Sequence, residues 1–118
     1  MTKADFYKSE NFFSGFKISG HAMVSIDEPD VLCAAISGMT NLVINTLTEV
    51  FGAKLKVFAD EKEPCVEVIL KASPEESKFS CDGIIKGFLL QLEDLQNQYP
   101  DNLCVTVQQN TTKGTKRS

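Results

Sequence analysis

Histidine occurs once in this sequence of 118 residues, at His21. A metal site built from cysteine and histidine would therefore need an unusual ligand set. The four cysteines, Cys33, Cys65, Cys81 and Cys104, contain no C-x-x-C pair, the usual seed of a zinc site or a dithiol redox motif. No apolar run approaches the roughly 20 residues of a bilayer span. The N-terminus lacks the basic-then-apolar layout of a signal peptide. These absences lead us to expect a cytoplasmic protein with reduced thiols, no metal or cofactor, and no membrane partner.

Acidic side chains are missing after Asp101. Residues 1–109 hold nine basic against sixteen acidic side chains, a formal −7, and the tail adds Lys113, Lys116 and Arg117. An acidic body is a poor nucleic-acid binder, because phosphate attraction supplies most non-specific affinity. It suits a basic protein partner instead. Apolar residues are missing from 110–118, which are expected to form a disordered basic tail after a single domain over 1–109.

What is present reads as five strands and two helices. Short strands are expected at 4–7 and 15–19, the second alternating Phe16 and Ile18 with Lys17 and Ser19. Leu32, Ala35, Ile36, Met39, Val43, Leu47 and Val50 recur at three- and four-residue steps, which predicts a helix over 31–51. Asp30 is its expected N-cap and Gly52 its stop. A hairpin follows, 55–59 and 65–71, around the polar turn 60–64. Ser73-Pro74-Glu75-Glu76 reads as a capping box opening a second helix, whose stripe is Cys81, Ile84, Ile85, Phe88, Leu92, Leu95 and Tyr99. A last strand spans 103–108. The order β-β-α-β-β-α-β predicts an α+β two-layer sandwich, with two helices packed on a mainly antiparallel five-stranded sheet.

Chemistry concentrates between Gly20-His21-Ala22 and Cys33-Ala34-Ala35-Ile36-Ser37. A thiol attacks as thiolate, and a free cysteine is mostly protonated near neutrality. An adjacent imidazolium and a helix N-terminus both favour the thiolate. With Asp30 as cap, Cys33 is the third helical residue, on a flank shared with Ser37 and Thr40, away from the core stripe. His21 begins the loop that leads into that helix. The same residues also describe a semi-buried small hydrophobe near a helix start and an ordinary loop histidine. Spacing alone leaves both readings open.

The stretch Ser19-Gly20-His21-Ala22, a loop ending in Asp30, then Cys33-Ala34-Ala35-Ile36-Ser37 resembles the signature of the ribosomal-processing cysteine protease family, Prp. The family pattern is G-H-A, a loop, then D-x-x-C-A-A-x-S, and the step of twelve from His21 to Cys33 matches it. The resemblance implies that Cys33 is the nucleophile and His21 the general base. Asp30 would orient His21 or shape the loop, and Ser37 would support the site one turn below the nucleophile. Gly20 belongs to the same motif. The implied substrate is the N-terminal extension of a bacterial large-subunit ribosomal protein, cut after a Phe-Phe-Ala-like sequence. The implied assembly is a homodimer, with no cofactor. This chain departs from the family inside the loop, where Met23 and Glu28 replace common glycines and Pro29 follows. Oxyanion donors are expected among the amides of Gly20–Ala22. The alternative from another class is a non-catalytic ribosome-associated adaptor that holds a peptide tail.

Overall fold

The computed structural model describes residues 1–20, 30–60, 62 and 64–110. Alternation of apolar and polar side chains builds the first two strands, β1 (Thr2–Ser9) and β2 (Phe12–Gly20), which pair antiparallel with Phe6 opposite Phe16. Ala4, Phe6, Phe16 and Ile18 point into the core, while Lys3, Asp5, Lys17 and Ser19 face the other way. An irregularity between Tyr7 and Lys8 shifts the register, so that Phe13 is buried as well.

Helix α1 (Asp30–Asn45) continues into a π-helical turn over Thr46–Val50. Leu32, Ile36, Val43 and Leu47 form its buried stripe, as their spacing dictates. The widened turn has a local cause. The hydroxyls of Thr46 and Thr48 donate to the carbonyls of Leu42 and Ile44, 2.7 and 3.0 Å away, and compete with the backbone for those acceptors. The amide of Phe51 then reaches back five residues to the Thr46 carbonyl, and Gly52 ends the helix at a φ of 71°.

Val31–Val50 has a mean hydropathy of 1.5 and is, by length and composition, apolar enough to cross a membrane. That corrects the expectation that no such run exists. Ser37, Thr40, Asn41 and Asn45 interrupt the run with polarity but bring no charge. In this fold the inner stripe of the helix is part of the core.

Strands β3 (Lys54–Asp60) and β4 (Cys65–Ala72) form the expected hairpin, with β4 also pairing β2. The capping box does not form. Glu75–Ser77 make a single 3-10 turn, and α2 (Lys78–Gln98) starts after it without a side-chain cap. Ser73 bonds the Cys81 thiol instead. Cys81, Ile85, Phe88, Leu89 and Leu92 are buried. The rings of Phe6, Phe16 and Phe88 meet with centroids 5.1 to 5.7 Å apart, which ties α2 to β1 and β2.

Strand β5 (Leu103–Asn110) returns parallel to β1 and takes in Asn110, one residue into the expected tail. Residues 111–118 lie outside the described residues. The sheet order is β3-β4-β2-β1-β5, with three antiparallel pairings and one parallel pairing. The two helices share one core cluster with one face of this sheet. The fold class read from the sequence is correct.

Candidate active site

Gly20 ends β2 and sends the chain directly into His21. Its φ is 83°, a conformation open to glycine, and a Cβ there would lie 2.2 Å from the Met1 carbonyl oxygen. Its amide donates to the carbonyl of Pro64, 3.2 Å away, so the end of β2 is tied to the β3–β4 hairpin. Ser19 pairs with Cys65 one residue earlier. His21, Ala22, Met23, Glu28 and Pro29 lie outside the described residues, as does the loop they belong to.

Asp30 is already helical in α1, so it lies inside the helix rather than before it as its N-cap. Cys33 still lies toward the N-terminal end of the described helix. Cys33 is half-buried, on the boundary between the core stripe and solvent. Ser37, one turn on, is exposed. The flank is less polar than expected, because Thr40 is buried and its hydroxyl donates to the Ile36 carbonyl at 2.7 Å. A thiol in this place is reachable yet partly shielded from water, which a nucleophile requires.

The other thiols are sorted by the fold. All four cysteines are free. Cys81 is fully buried, and burial pushes its thiol up in pKa, against a smaller opposing effect of the Ser73 hydrogen bond. Cys65 and Cys104 are half-buried and occupy the sheet face opposite the core, an assignment the sequence left open. Among the described residues, no three of His, Cys, Asp and Glu group as a metal site.

The uncovered sheet face holds a feature that sequence reading missed. A groove of about 740 Å³ is lined by Lys17, Ser19, Gly20, Phe58, Cys65 and Glu67, among others. Each of these residues is ordinary by itself. Strand alternation of Lys17 with Ser19 and of Cys65 with Glu67 was the signal available, but it needed the strand order to have meaning.

The model of one protein family, described as cysteine protease Prp, matches residues 1–104. Comparison with curated protein sequences found no match. Among solved structures, the chain is similar to SMU.848 from Streptococcus mutans, with a TM-score of 0.82 at 20% identity, over 93% of this chain and 96% of that one. It is similar to the essential ribosomal processing protease Prp from S. aureus in complex with a substrate peptide, with a TM-score of 0.78 at 16% identity, over 92% of this chain and 100% of that one. The same S. aureus protease with a covalently linked product peptide gives 0.76 at 16% identity, again over 92% and 100%.

Proposed function

The chain belongs to the cysteine protease Prp family, and from that membership we propose that it removes the N-terminal extension of a bacterial large-subunit ribosomal protein in the cytoplasm. Cys33 is the nucleophile and His21 the general base. His21 takes the thiol proton, and Cys33 Sγ attacks the scissile carbonyl. The tetrahedral intermediate collapses as the protonated His21 gives its proton to the leaving amine. Water, activated by the same imidazole, then hydrolyses the thioester and frees the thiol.

The observation that carries this reading is the position of Cys33. It is a half-buried thiol at the N-terminal end of a long helix. Gly20 and Ser37 support the site from the strand end before it and the helical turn after it, and Asp30 orients His21 or shapes the loop. The donors for the oxyanion are sought in the Gly20–Ala22 amides. The acidic body of residues 1–109 suits a basic ribosomal substrate, and no direct nucleic-acid partner is needed.

The homodimer is part of the same proposal. From Val31 to Thr48 the helical segment carries no charged side chain, yet Val31 and Leu42 are 64% and 59% exposed. The outward face of α2 also exposes Phe79 and Leu90 but sets Lys78, Lys86, Glu93 and Asp94 among them. An uncharged, partly apolar helix face suits a second copy better than water.

Cleavage of a Leu-Gln-Phe-Phe-Ala-Ser-type peptide tests the assignment. Wild type should cut after the alanine, and both Cys33→Ala and His21→Ala should lose the activity. Cutting that survives in Cys33→Ala removes that residue as nucleophile. The adaptor reading is separated by alkylation at neutral pH. A protease shows Cys33 modified far faster than Cys65, Cys81 and Cys104, whereas an adaptor binds peptide with four ordinary thiols.

A further inference from the structure

Both helices pack on one face of the sheet, and strand alternation puts Lys17, Ser19, Cys65, Glu67, Ile69, Lys56 and Phe58 on the other. Two cavities lie there side by side. The groove of about 740 Å³ reaches Gly20, and a smaller one of about 140 Å³ is lined by Lys56, Phe58, Glu67 and Ile69. They share Phe58 and Glu67 and so form one trough along β4, from Ile69 to the end of β2. Four residue steps of strand, from Ile69 to Cys65, make it about 13 Å long, room for about four residues of extended peptide.

The lining narrows the occupant. Phe58, Cys65 and Ile69 supply apolar lining, while Lys17, Lys56, Asp60, Lys62 and Glu67 supply charge of both signs. Such a mixture fits a peptide, which brings its own amides and both kinds of side chain, and not a lipid chain. Phe58 leaves 68% of its surface in water on an edge strand, a place where apolar side chains are normally avoided. Glu67 is held in place, accepting a hydrogen bond from the Tyr7 hydroxyl at 2.6 Å. The trough reaches the strand end that precedes His21 in the chain. Gly20 lines it, is fixed by Pro64 and Thr2, and is bonded directly to His21.

We propose that this trough is an extended subsite for the protein substrate, which holds about four residues on one side of the scissile bond with an apolar side chain against Phe58. This rests on the protease reading above. It makes substrate selection depend on a segment outside the cut sequence, held on the sheet face opposite the helices.

The test compares the Leu-Gln-Phe-Phe-Ala-Ser peptide with versions extended by about five residues at one end or the other. One extension should lower KM about tenfold, a typical range for one well-placed aromatic contact. Phe58→Ser should remove that advantage and Phe58→Tyr should keep it. No benefit from either extension, or a benefit intact in Phe58→Ser, overturns the proposal. If wild type cuts no peptide, the protease reading fails, and the trough is judged by binding alone. Fluorescence anisotropy of the labelled extended peptides on Cys33→Ala should then show tighter binding than for the short one, lost on adding Phe58→Ser. Binding that ignores Phe58, or no binding, overturns it.

Discussion

Tyr7 shows how one side chain can carry a pH signature. Its hydroxyl donates to Glu67 from a half-buried position on the open sheet face. Burial first, and then the bonded and nearby carboxylates, push its pKa well above the ordinary tyrosine value near 10. A group whose folded pKa is raised holds its proton longer in the folded than in the unfolded state. Tyr7 therefore adds no pH dependence to stability below about pH 10, and stability falls as pH rises past that value. Cys81 acts with the same sign from about pH 8.5, because its buried thiol resists ionisation. Urea unfolding between pH 8 and 11 should show a declining free energy, with a shallower decline above pH 10 in Tyr7→Phe. An equal slope in both proteins would show that Tyr7 is not responsible. At neutral pH the same variant should cost about 1 kcal/mol, the worth of one hydrogen bond to a charged group that is partly open to water.

At the scale of elements, the end of β2 is the part under most constraint. Gly15 packs where a Cβ would be 2.3 Å from the Val68 carbonyl oxygen, and Gly20 has both a close carbonyl and a positive φ. Gly20→Ala should cost about 1 to 3 kcal/mol through backbone strain and separation from Met1. Melting should fall by about 4 °C or more. Peptide cleavage at a temperature well below melting should fall further than the lost stability explains, because the strand end that leads into His21 has moved. Unchanged kcat/KM beside a lowered Tm would make Gly20 a fold residue only. The helix that carries Cys33 was legible because its apolar residues recur at helical spacing. The missing capping box before α2 and the burial of Thr40 were not. Each depends on which partner a side-chain hydroxyl finds, Ser73 the Cys81 thiol and Thr40 the Ile36 carbonyl.

For the whole molecule, the contrast between the two helices has a consequence in solution. If the uncharged face of α1 meets a second copy, a charge placed on it should separate the copies without harming the fold. Leu42→Lys alters a residue that is 59% exposed and belongs to no core contact cluster. Light scattering after size exclusion should give a dimer for wild type and a monomer for this variant, with Tm shifted only by the loss of association. A dimer that persists in Leu42→Lys places the interface elsewhere.

The sequence by itself determined the seven elements and the face of each helix that enters the core. Those properties follow from periodicity and from residues close in the chain, where geometry is set by 3.6-residue turns and alternating strands. Only the tertiary structure decided that β5 lies parallel to β1, that Cys65 faces the open side of the sheet and that Phe58, Glu67 and Gly20 line one trough. Those depend on which distant surfaces bury each other, and many strand orders bury the same apolar side chains. Local pattern cannot choose among them, whereas the packing of Phe6, Phe16 and Phe88 does.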